Sequence, residues 1–306
     1  MVKEMSSISQ KSNLDPSFNE GLPGAGAIRR VIRVFLSRNV VVLGLIIILL
    51  FLITAVFSPF LTSHDPYKQN LKEYLFHPGK GGHILGTDAL GRDILSRIIY
   101  GSRTSLMVGL VSVFISASLG LILGLIAGFY GGLVNAIIMR FIDAIMSIPM
   151  LLLALVVAAL LGGGLSNVMI AIGVSMMSVY ARMMCGQVLS IKENDYITAE
   201  RAIGASNSRI MFRHLLPNCF PPLIVLITMQ MGAAILAEAG LSFLGVGIEP
   251  PGAAWGAMVN DGYKYLLSIP VLSIAPGVAI MLVVFAFNMV GDGLRDTLDP
   301  RLRGTL

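Results

Sequence analysis

From Thr104 to Met139, and again from Ala144 to Ala181, the chain carries no Asp, Glu, Lys or Arg. Either stretch is longer than the ~20 residues that one helix needs to cross a hydrocarbon core about 30 Å thick. Each must therefore be broken. Gly131-Gly132 offers the break in the first, leaving a span near 105–129 and the start of another; Gly162-Gly163-Gly164 splits the second. Val40–Phe57 is a further uncharged run closed by Ser58-Pro59, and spans near 219–245 and 270–291 complete a set of six. Pro149, Pro221, Pro222 and Pro276 are expected to kink or begin helices, which a bundle tolerates where neighbours satisfy the freed carbonyls. Charged residues are only 13% of the chain, against roughly a quarter in soluble domains, so the expected class is an all-α membrane protein. The first apolar run lacks a small-residue cleavage site and is expected to stay as an anchor.

Lys and Arg set the orientation. With the N-terminus inside, segments such as Arg29–Arg38, Arg140, Arg182 and Lys192–Arg213 are inner and carry 15 of the 22 basic residues. The outer segments, with Lys68, Lys72, Lys80, Arg92, Arg97, Arg103 and Lys264, carry 7. That bias satisfies the positive-inside rule and predicts N-in and C-in, with both ends in the cytoplasm. The net charge of +5 is thus a topology signal, and with no basic face interleaved by aromatics it does not describe a nucleic-acid binder.

One inner segment is polar without being a simple turn. In residues 191–217, Asp195 or Asn194 can cap a short helix through Ala202, which carries Tyr196, Thr198, Ala199 and Glu200. Gly204 can close it in a left-handed turn. Ser206 can cap a second helix, which Pro217 is expected to end. Ala199, Ala202, Gly204 and Ala205 leave a face without bulk, suited to close docking against another protein.

This island resembles the signature loop of importer-type ABC permeases, whose pattern is Glu-Ala-Ala, three residues, Gly, nine residues, Ile, one residue, Leu-Pro. Thr198-Ala199-Glu200, Gly204, His214 and Leu216-Pro217 occupy those positions. The Gly-to-Pro spacing is intact, while Thr198, Glu200 and His214 replace Glu, Ala and Ile. Further strings are similar to permeases of the peptide and nickel group: Gly86–Arg97, Leu241–Gly245 with Glu249-Pro250-Pro251 and Trp255-Gly256, and Phe287-Asn288 with Gly291–Asp296 and Asp299-Pro300-Arg301. The resemblance covers about residues 36–306 and is to the C-type subunit of dipeptide, oligopeptide or nickel importers.

That resemblance implies a six-span, type I importer permease. Its expected parts are a cytoplasmic tail (1–35), a first span with an outer loop and interfacial helix (36–100), and a permease domain (101–306) with a coupling loop at 190–217. It implies a homologous second permease, two ATP-binding subunits that hold ATP and Mg, and an extracytoplasmic binding protein. The chain itself has no G-x-x-x-x-G-K-[ST] string and is expected to carry no cofactor and no catalytic site. The expected cargo is a di- or oligopeptide, the alternatives being nickel or another small solute, or an ion-coupled carrier working alone.

Single residues leave choices open. Glu238 lies in an apolar span, where an ionisable group is by default functional, and is a candidate for a cavity or for pairing with the second permease. Met176 and Met229 belong to a Met-rich set that either packs the core or lines a soft pathway. Thr87 or Asp88 is expected to cap an interfacial helix through Ile99, and Asp143 to pair with Arg140 one turn away. His64, His77 and His83 share a loop with Asp65, but no spacing fixes a ligand geometry; they read as surface residues and no metal is assigned. Cys185 and Cys219 read as inert packing residues.

Overall fold

The computed structural model describes residues 32–298; the expectations for the tail up to residue 31 and for Asp299-Pro300-Arg301 lie outside them. In chain order the main helices are α1 (Asn39–Val56), α2 (Ile94–Tyr130), α3 (Gly132–Met146), α4 (Met150–Leu161), α5 (Leu165–Ile191), α6 (Asp195–Ala202), α7 (Asn207–Phe243), α8 (Trp255–Tyr263) and α9 (Val271–Leu298). Five of them, α1, α2, α5, α7 and α9, are long and apolar enough to cross a membrane. The pair α3 and α4, bent by 91° at Ser147–Pro149, makes a broken sixth. Hydrocarbon offers backbone groups no partner, so these runs become helical despite the modest helix propensity of their many Val and Ile residues. Leu133, Phe114 and Leu160 are among many large apolar side chains left exposed on the bundle, as lipid or a protein neighbour requires.

The expected breaks stand where the glycines are. Gly131 closes α2, and Gly162, Gly163 and Gly164, all at positive φ, separate α4 from α5. The centre of the bundle is the α2–α5 seam. Gly120, Gly124 and Gly128 recur every fourth residue on α2 and let the backbone of α5 approach. A Cβ at Gly124 would lie 2.7 Å from Met184 Cβ, and one at Gly128 the same distance from Val188 Cβ.

Side-chain contacts define the two ends of this bundle. At one end, Lys192 Nζ donates to Gly128 O at 3.1 Å and Arg38 pairs with Asp296. The island, the start of α1 and the end of α9 therefore share an end. At the other, Thr54 Oγ1 lies 3.3 Å from Ser102 Oγ, and the buried Trp255 indole donates to Ile98 O at 2.9 Å. Residues 57–93 close over that loop end.

Three expectations are corrected. No separate interfacial helix forms over 88–99. Asp88 spends its carboxylate on the Leu90 and Arg92 amides, and Gly91, at φ +71° with its Cα against the Asn70 carbonyl, breaks any helix there. The cap is Asp93, which accepts from Ser96 N, and α2 runs unbroken from Ile94 into the span. Pro217 does not end a helix. Residues Ile210–Leu215 form a π turn that widens the backbone ahead of the proline, relieving the clash its ring makes with a carbonyl four residues earlier. The chain thus continues from Asn207 to Phe243. Asp143 pairs with Arg182 across the α3–α5 packing, not with Arg140.

Candidate functional site

The island is a polar cap with an apolar root. Ile197 is the one buried residue of α6, and it packs with Leu125 and Phe129 of α2, Met184 and Val188 of α5, and Ile210 and Leu215 of the π turn. Arg201 lies over the Phe129 ring, 5.8 Å from its centre. Such a root fixes the position of α6 against three helices at once.

Its C-terminal turn follows from the sequence in detail. Gly204 sits at φ +82°, its amide donates to Arg201 O at 3.0 Å, and the Ala205 amide donates to Glu200 O at 3.0 Å. These two bonds satisfy two of the terminal carbonyls of α6 and reverse the chain, a turn that a side chain at Gly204 would strain. Ser206 then accepts from Arg209 N and starts α7. Leu216 and Pro217 follow the π turn and carry α7 onward.

What α6 presents outward is small and polar. Thr198, Ala199, Ala202, Gly204 and Ser206 are exposed, Tyr196 is exposed with its hydroxyl 3.2 Å from Asn218 Nδ2, and Ala205 is half-buried. A Cβ built on Gly204 meets nothing within 4 Å. Reading the sequence missed Ile203, which is 78% exposed at the tip of the island. An isoleucine between Ala202 and Gly204 in so polar a segment was the available signal.

Two of the pattern's departures meet in space. Glu200 Oε1 and His214 Nε2 are 3.4 Å apart, and neither side chain is more than about a fifth exposed. The contact ties α6 to the π turn.

The intramembrane candidates lie elsewhere. Glu238 is fully buried inside the chain, accepting from Ser242 Oγ at 2.7 Å and Ser105 Oγ at 3.4 Å. Its partners are thus two serines of its own bundle, and neither a cavity nor a second permease is required to satisfy it. Met176 is likewise sealed in the core, while Met229 is partly exposed and rests on Gly291. Cys185 and Cys219 are free thiols in buried positions. The Gly86–Arg97 string builds a clasp at the loop end. Arg97 is buried and donates to Pro66 O, Pro251 O and Gly252 O at 3.1–3.4 Å, tying together loops that lie far apart in the chain.

Comparison with known proteins matches this arrangement. The family model of the binding-protein-dependent transport system inner membrane component covers residues 120–304, and that of the N-terminal TM domain of oligopeptide transport permease C covers 27–78. The chain is 42% identical over 87% of its length to the dipeptide transport system permease protein DppC of Alkalihalophilus pseudofirmus, covering 88% of that protein. It is 43% identical to the di/tripeptide transport system permease protein DppC of Pseudomonas aeruginosa, over 85% of this chain and 88% of the relative. To the glutathione transport system permease protein GsiD of Escherichia coli it is 38% identical, over 89% and 90% of the two chains. In fold it is similar to a solved chain of the MetNI methionine ABC transporter in an inward-facing conformation, with a TM-score of 0.55, 21% identity, and coverage of 66% of this chain and 96% of the other. The chain belongs to the binding-protein-dependent inner membrane transport components, as a C-type permease of the dipeptide and oligopeptide branch.

Proposed function

We propose that this chain is one of two permeases in an ATP-driven importer of short peptides across the cytoplasmic membrane. The observation that carries the reading is the island: a small-residue, exposed face mounted on an apolar root shared by α2, α5 and α7. Such a face suits a groove in a soluble motor subunit, and the root makes it a lever. Two ATP-binding subunits, holding ATP and Mg, would seat one island from each permease. Their closure would tilt α6 and, through the π turn, α7, rocking the pair between inward-open and outward-open states. The chain supplies no ATPase chemistry of its own. The relatives' names, dipeptide, di/tripeptide and glutathione, all denote short peptides or a tripeptide-like thiol, which supports a peptide cargo. An extracytoplasmic binding protein would deliver it to the loop end. In this reading the island and both chain ends are cytoplasmic, in keeping with the charge bias.

Purification in mild detergent tests the assembly, and cysteine labelling tests the orientation. ATP-binding subunits should copurify with the chain, and cysteines at Lys72 and Asn207 should label from opposite faces of the membrane. Purification without any ATPase, or labelling from one face only, overturns the reading.

A further inference from the structure

The loop end gathers residues that are distant in sequence. His64 follows the short turn after α1, His83 lies near the end of the same loop, and Asp93 caps α2. One ligand atom from each of the three lies within 4.8 Å of the other two. His83 and Asp93 are buried, and His83 Nδ1 is 2.9 Å from Asp93 Oδ1. The His64 and His83 rings face each other with centres 4.4 Å apart. Beside His64 and Asp93 is a cavity of about 20 Å³, which they line together with Thr62, Ser63 and Ser96 among others, enough for one water-sized occupant. The sequence groups His64, His77 and His83 with Asp65 as surface residues; the fold buries His83 and brings Asp93, rather than His77 or Asp65, to it and His64.

The geometry points to a resident divalent transition-metal site here, with His64, His83 Nδ1 and Asp93 Oδ1 as protein ligands and the cavity holding a water as fourth. Two imidazoles and a carboxylate suit Zn²⁺ and its neighbours, whereas Mg²⁺ and Ca²⁺ take oxygen donors. Two ligands about 2.0–2.2 Å from one tetrahedral ion stand roughly 3.3–3.5 Å apart, so His83 Nδ1 and Asp93 Oδ1, 2.9 Å apart, must part slightly to admit it, within the reach of side-chain rotation. The groups behind the ligands are already placed. His83 Nε2 faces Glu73 Oε2 at 3.5 Å, so the tautomer that frees Nδ1 for a metal has a carboxylate to receive its Nε2 proton. Asp93 Oδ2 is held by the Ser96 amide at 2.7 Å, which aims Oδ1 away from the helix and toward His83. Bound metal would clip the loop that leaves α1 to the first turn of α2. This role is independent of the cargo.

The test uses the full chain purified in mild detergent with whatever subunits accompany it. Wild type, His64→Ala and His77→Ala are equilibrated with Zn²⁺, freed of excess, and assayed for bound metal. His64 is only partly buried and leaves the Asp93 cap intact, and His77 is an exposed histidine of the same loop. The site predicts one more Zn²⁺ per chain in wild type and His77→Ala than in His64→Ala. Glu73→Gln should weaken binding by about 10–100-fold. With Co²⁺ as probe, wild type should show the visible d–d bands of tetrahedral coordination, absent in His64→Ala. Equal Zn²⁺ content in wild type and His64→Ala overturns the proposal, as does displacement of the extra ion by excess Mg²⁺.

Discussion

Gly204 separates two costs that a docking loop normally confounds. Its φ of +82° makes any L side chain unfavourable there, by about 1–2 kcal/mol for a residue such as Ala. Within the chain itself nothing lies within 4 Å of an added Cβ, so no clash adds to that cost. Asn tolerates the left-handed region better than Ala, and Leu carries both the strain and the bulk. If the face is free in solution and covered only by a motor subunit, the three variants should diverge. Gly204→Asn should be mildly affected and Gly204→Ala should lose up to about 1–2 kcal/mol, or 5–30-fold, in docking coupled to the turn. Gly204→Leu should lose well over that, because its side chain must fit inside an interface. The assay is copurification of the ATP-binding subunits, with thermal unfolding of each variant to confirm that the spans are intact. A Leu variant that assembles as well as the Asn variant would refute Gly204 as a docking residue.

Three further outcomes follow from named contacts. Glu200→Ala and His214→Ile each break a shared contact, so the double variant should be less impaired than the sum of the singles, with a coupling of about 0.5–3 kcal/mol in a double-mutant cycle; strict additivity argues that the contact is incidental. Gly124→Val should overpack the α2–α5 seam and cost at least about 1–3 kcal/mol in detergent unfolding, whereas Gly186→Val, with nothing within 4 Å, should be near neutral; equal effects would remove the seam from the account. Glu238→Gln keeps one acceptor for Ser242 Oγ and offers an amide that can donate to Ser105 Oγ, and should keep most uptake, while Glu238→Leu strands both hydroxyls at about 1–3 kcal/mol and should lower the yield of folded chain; loss of uptake in a well-folded Gln variant would point to proton chemistry instead.

The sequence was most legible where one local rule acts alone. Uncharged runs and paired glycines place the spans and their breaks, and a capping Ser206 with Gly204 at positive φ places the ends of the island helices. It was least legible where distant residues decide. Asp88 looks like a helix cap until Gly91 and Asn70 are seen to force a turn, and Pro217 looks like a terminator until the π turn makes room for it. Glu200 and His214 read as two unrelated departures from a pattern, though the fold sets them side by side. Glu238 reads from the sequence as a candidate for a cavity or for pairing with a second permease, both of which look outside the chain for its partner. Its companion Ser242 is one turn along the same helix and was within reach of the i, i+4 rule, but Ser105 comes from α2. Ile203 escaped notice because apolar periodicity reports burial, and this isoleucine is exposed.

The central claim is that ATP hydrolysis in partner subunits, transmitted through the island, drives peptide import. Uptake of a labelled dipeptide into proteoliposomes carrying the purified complex and its binding protein tests it most directly, with ATP and the proton gradient varied separately. The account predicts uptake that requires enclosed ATP, survives dissipation of the gradient and falls with Gly204→Leu. Uptake that follows the gradient and is indifferent to ATP would contradict it.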